Sequence, residues 1–149
     1  MKLPSSTLVV DAAVLIAAAR GRSSGALAMV ARAAALVTTD RVVHEARRRI
    51  ALGLKQPELL TIVDALVAEM TIVPVAALTP MLTQAEIALR DAVASRNGSI
   101  KDAHVLALAW STDADIWTTD RDFAGSGVAT WSTPNLMWGL AASGLLANW

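Results

Sequence analysis

The 149-residue chain has no cysteine, which excludes a disulfide scaffold, a thiolate metal site and a cysteine nucleophile, and leaves nothing that needs an oxidising compartment. It has no net charge either. Its 13 basic side chains balance 13 acidic ones, so no global basic field draws it onto nucleic acid or an anionic membrane. Charged residues amount to 17% against 54% hydrophobic, a balance that excludes disorder. An unbroken membrane-length apolar run is also missing. Lys2 to Ala19 looks only superficially like a signal peptide, because Pro4, Ser5 and Ser6 weaken it and Asp11 interrupts the apolar part. Phe123 to Trp149 carries no formal charge, but Gly125, Gly127, Pro134, Asn135, Gly139 and Gly144 divide it into a strand, a turn and a helix. With no internal repeat, low-complexity tract or linker, the expectation is one domain over residues 1–149, cytoplasmic and without a membrane segment.

What is present is an alternation of short strands and helices. Leu8-Val9-Val10 reads as a first strand, ended by Asp11 and followed by an alanine-rich helix to about Arg20. A turn over Gly21–Gly25 leads to a helix over about Ala26–Ala34 and a second strand at Leu36–Thr38. Asp40 is expected to cap a helix with Val42, Val43, Ala46 and Ile50 on one face. Gln56-Pro57-Glu58 opens the next helix, and Met70–Val75 reads as strand three. A helix carrying Ile87, Leu89 and Val93 should end near Asn97-Gly98. Ser99 starts another helix to about Ser111, apolar nearly all round. Ile116–Thr118 and Val128–Trp131 are strands four and five, and Pro134 begins the last helix. This pattern predicts a three-layer α/β/α sandwich around a parallel sheet of about five strands.

In an open parallel sheet the ligand crevice lies beyond the carboxyl ends of the strands, where the strand order reverses. Asp11 follows strand one and Asp120 follows strand four. Glu45 lies in the second turn of the helix leaving strand two, and Asp102 in the first turn of the helix feeding strand four. All four acids therefore belong to one edge, and a strand order of 3-2-1-4-5 would set Asp11 beside Asp120. Each acid also has a plainer reading. Asp11 and Asp120 suit helix caps, Ser99-Ile100-Lys101-Asp102 suits a capping box, and Glu45 has Arg41, Arg48 and Arg49 at ion-pair spacing. Four carboxylates at one edge repel one another unless a cation neutralises them. With no thiolate and only two histidines, the donor set suits Mg²⁺ or Mn²⁺ rather than zinc. Phosphoryl transfer is the chemistry such a site supports.

Four blocks carry a resemblance: Leu8-Val9-Val10-Asp11 with Val14-Leu15, Val42-Val43-His44-Glu45, Lys101-Asp102-Ala103-His104-Val105-Leu106-Ala107-Leu108-Ala109, and Trp117-Thr118-Thr119-Asp120-Arg121-Asp122-Phe123. In order and spacing they resemble the successive motifs of PIN-domain ribonucleases. The last two are the specific blocks, and no motif is placed between Ala46 and Ile100. The resemblance implies a metal-dependent endoribonuclease that leaves 5′-phosphate and 3′-hydroxyl ends. Asp11, Glu45, Asp102 and Asp120 match its acidic quartet, as catalytic residues and metal ligands. Thr118 matches a supporting hydroxyl and Asp122 an additional acid. At this length the chain most resembles the VapC-like toxins of type II toxin–antitoxin pairs, which implies an RNA substrate, a cognate antitoxin and a homodimer.

Arginine outnumbers lysine ten to three, and guanidinium matches phosphate geometry. With four acids held by metal, nine remain against 13 basic side chains, a modest help for RNA binding. Arg47, Arg48 and Arg49 are candidate RNA contacts, although an arginine run is also an ordinary solvated helix face. His44 and His104 read as structural, since no triad or zinc spacing accompanies them. The five tryptophans, all between Trp110 and Trp149, read as core or interface. Two other classes stay open. One is a non-catalytic PIN-like module that binds RNA or a protein partner. The other is an acid-metal phosphatase or phospho-receiver, which is weakened by the lack of a lysine after Lys101 and of an Asp-x-Asp pair on strand one.

Overall fold

Leu8-Val9-Val10 forms the core of strand β1 (Thr7–Val10), and all three side chains are fully buried because helices cover both faces of the sheet. The computed structural model describes residues 2–22, 24–90, 100–119, 123 and 126–146. From β1 the chain passes through α1 (Ala12–Ala19), α2 (Ser24–Ala33), β2 (Ala35–Thr39), α3 (Asp40–Arg48), α4 (Leu60–Val67) and β3 (Thr71–Val73). It then continues through α5 (Thr79–Arg90), α6 (Ala103–Thr112), β4 (Asp115–Trp117), β5 (Thr130–Trp131) and α7 (Thr133–Ala142). The strands form one parallel sheet in the order β3-β2-β1-β4-β5, as the sequence predicts. In register, Val10 of β1 stands beside Trp117 of β4. The order reverses between β1 and β4, and the site is built there.

α1 packs against α2, α3 and α4, while α6 packs on α5 and across β1, β2 and β4. Residues Ala103 to Ala109 of α6 are all buried, as its all-round apolar sequence requires. α6 ends at Asp113, whose φ of 50° is the left-handed value of a C-terminal cap. Among the described residues, no helix is long and apolar enough to cross a membrane.

The structure shifts several boundaries. Thr39, not Asp40, caps α3: it is still extended, and its hydroxyl accepts the Val42 amide at 3.0 Å. Asp40 becomes the first helical residue, and its carboxylate accepts the Val75 amide at 2.9 Å, tying α3 to the turn after β3. Strand three stops at Val73 because Pro74 has no N–H for the ladder. Strand five shortens to Thr130–Trp131, and strand four moves back one residue to Asp115–Trp117. α6 is entered through a 3₁₀ turn, Ile100–Asp102. The helix end near Asn97-Gly98 and the Ser99 capping box lie outside the described residues.

The N-terminal segment closes against α7. A Cβ on Gly139 would stand 2.8 Å from the Pro4 ring and 3.3 Å from Trp131. Gly139→Ala is expected to lower stability by about 1 kcal/mol, since the overpacking exceeds the helix-propensity gain. A melting temperature at or above that of the parent would contradict this packing.

Candidate active site

Asp11 sits where β1 gives way to α1, and its position follows from the switch in strand order. Its amide donates to the Trp117 carbonyl at 3.1 Å, which fixes the turn against the end of β4. One carboxylate oxygen accepts the Ala12 amide at 2.7 Å, and the other accepts the Thr118 hydroxyl at 2.8 Å. Asp11 is only 7% exposed, so these donors replace most of its hydration. Thr118 is itself buried at the first position after β4.

Glu45 projects from α3, its side chain about one-third exposed and its Oε1 4.0 Å from Arg49. Asp102 stands at the N-cap of α6, where its carboxylate makes no capping hydrogen bond, and the box with Ser99 lies outside the described residues. Asp11, Glu45 and Asp102, from three separate elements, line a single cavity of about 440 Å³. Asp120 and Asp122 lie outside the described residues.

Arg41, Arg48, Arg49 and Lys101 line the same cavity, the three arginines on or just beyond the helix that carries Glu45. The arginine run therefore splits. Arg48 and Arg49 reach the cavity, whereas Arg47 pairs with Asp64 on α4 and does not line it. Arg41, which reads from sequence as an ordinary ion-pair partner of Glu45, is a cavity residue. Its signal is the four-residue spacing, which puts both on one face of α3.

His104 also lines the cavity wall but is 2% exposed. Its Nδ1 lies 2.8 Å from the Thr39 hydroxyl. The same hydroxyl accepts the Val42 amide, so one oxygen links the start of α3 to the ring. Burial, reinforced by the charge of Arg41 and opposed by Asp40, pushes its pKa down to about 4. The pair joins the start of α3 to the first turn of α6, the two helices that carry Glu45 and Asp102. His44 is exposed at the same cavity. Trp117 is fully buried, with Nε1 donating to Thr133, while Trp138 is 69% exposed.

A PIN domain family model matches residues 9–141. The chain belongs to the PIN domain family. A crystal structure of PAE2754 from Pyrobaculum aerophilum is similar at a TM-score of 0.63, covering 91% of this chain and 96% of that one at 15% identity, a likeness of fold alone. No curated protein sequence matches. PIN domains are generally nucleases that use divalent metals, so the family supplies a nuclease fold and nucleic acid as the class of partner.

Among the described residues of this PIN domain, no group of three or more histidine or acidic side chains is disposed to hold a metal ion. The donors nevertheless suit one chemically. They are hard carboxylate oxygens sharing a cavity, with Asp11 oriented by two hydrogen bonds.

Proposed function

We propose that this PIN domain, as one nuclease domain over residues 1–149, is a metal-dependent endoribonuclease and the toxin of a toxin–antitoxin pair. One observation carries the reading: three carboxylates from separate elements share a cavity with four cationic side chains. Carboxylates alone would repel a phosphodiester. Acids and guanidinium groups in one cavity suit a site that takes a cation and a phosphate together.

Asp11, Glu45, Asp102 and Asp120 would hold Mg²⁺ or Mn²⁺, with Asp122 as an additional acid. The ion would supply charge stabilisation for phosphoryl transfer. Arg48 and Arg49, with Arg41 and Lys101, bind and orient the scissile phosphate, the guanidinium groups through paired N–H donors. Water adds to phosphorus and the 3′ oxygen leaves, giving 5′-phosphate and 3′-hydroxyl ends. Thr118 acts on Asp11 as a positioning residue.

Calorimetry tests the metal reading directly. The protein should bind Mn²⁺ and lose that binding in Asp102→Asn. Unchanged RNA binding with no metal uptake by either protein would mean a binding-only PIN module. Thr118→Val removes the hydroxyl donor while keeping the shape, and is expected to weaken Mn²⁺ binding ten- to a hundredfold; an unchanged titration would show that Asp11 needs no such support.

The toxin role and a homodimer are supported by the exposed apolar side chains of Leu52, Leu54 and Trp138, which suit burial by a second copy or an antitoxin. Induced expression should arrest bacterial growth and Asp11→Asn should not. Growth arrest by both would point away from RNA cleavage as its cause.

A further inference from the structure

A second depression adjoins the acidic cavity and shares Ala13 and Arg49 with it. It runs along α1, where Ala13, Ile16, Ala17 and Arg20 recur at i, i+3, i+4 and i+7 and so form one face. The two alanines keep that face low. Seven residues of helix place Arg20 about 10 Å from Ala13 along the axis.

The end of α1 adds a second cation. Gly21, at φ 82°, takes the left-handed conformation that glycine favours, and the amides of Gly21 and Arg22 close back on the carbonyls of Ala18 and Ala17 at 3.0 Å each. This turn brings Arg22 into the same depression as Arg20. Both are exposed, and among the described residues neither has an ion-pair or side-chain hydrogen-bond partner. Thr119, the second residue after β4, adds a hydroxyl. No described carboxylate lines this depression, whereas three line its neighbour. One groove thus passes from acids to the guanidinium groups of Arg20 and Arg22.

We infer that Arg20, Arg22, Arg49 and Thr119 form an anion subsite that holds a backbone phosphate next to the one at the acidic cavity, an inference that rests on the nuclease reading above. Guanidinium and hydroxyl donors suit a phosphodiester oxygen, and the shared Ala13–Arg49 wall makes the two positions consecutive along one strand.

The test uses the full chain carrying Asp11→Asn, so that the RNA survives, and a fluorescein-labelled 12-nucleotide single-stranded RNA read by anisotropy across a salt series. Adding Arg20→Ala with Arg22→Ala should weaken binding about tenfold and lower the slope of log K against log salt by about 0.7, the loss of one single-strand phosphate contact. Arg32→Ala with Arg90→Ala makes the same change in charge away from the groove and should weaken binding less than twofold. A dinucleoside monophosphate competitor has only one phosphate, and should bind the parent and the Arg20/Arg22 variant alike. Equal losses in both arginine pairs, or an equal loss with the dinucleotide, would reduce the effect to general charge and overturn the subsite. An acidic peptide that competes with the RNA and depends on Arg20 and Arg22 for tighter binding would overturn the nucleic-acid assignment. Failure of the nuclease reading shows separately, as no cleavage by the protein with Asp11 intact. In that case, an Arg20/Arg22-dependent loss of RNA binding still supports the subsite.

Discussion

Asp11→Asn is expected to lower metal-dependent cleavage at least about a thousandfold while leaving the fold in place. The amide keeps the size of the side chain, and its oxygen can still accept either the Ala12 amide or the Thr118 hydroxyl, the two bonds that hold Asp11 at the end of β1. What disappears is the negative charge and one of two hard oxygen donors. The stability change should stay within about 1 kcal/mol, since one hydrogen bond weakens while repulsion among the acids is relieved. Steady-state cleavage and thermal melting, run side by side, check both halves. Retention of more than a tenth of the activity would remove Asp11 from the metal site.

The second large effect is on stability. His104 has a folded pKa of about 4 against 6.5 when exposed. On acidification the unfolded chain takes up this proton first. His104 therefore contributes its full stabilisation above pH 6.5, and loses it progressively as pH falls toward 4. The loss amounts to about 3 kcal/mol. An imidazolium would place a charge in a buried wall that Arg41 already makes positive. Urea unfolding in EDTA at pH 7 and pH 4.5 should show most of this difference in the native chain. His104→Gln should abolish most of it, although that variant is less stable at pH 7. The same acid loss in both proteins would mean that His104 is not its source.

Much of the architecture is legible in the sequence because the signals are local. A three-residue β-branched and leucine run ending at Asp11, and a helix apolar on every side, each admit few arrangements. Parallel connectivity alone admits several strand orders; the 3-2-1-4-5 order, the one the PIN-domain resemblance implies, carries Asp11 to Thr118. The site is legible as an edge, since three of the four acids come to one cavity.

What escapes the sequence depends on distant contacts. Thr39 and Asp40 are both good capping residues, and only the extended backbone at Thr39 decides between them. Arg47 leaves the arginine run because α4 presents Asp64 to it. The depression ending at Arg20 and Arg22 arises from the turn at Gly21 and from the approach of Arg49, which no single stretch of sequence encodes.

The most direct measurement is cleavage of total cellular RNA by the purified protein, free of any bound antitoxin, with Mn²⁺, with Mg²⁺ and with EDTA. Discrete fragments bearing 5′-phosphates, formed only with metal and absent with Asp11→Asn, are the predicted result. Fragments that persist in EDTA, or that Asp11→Asn still produces, would contradict it.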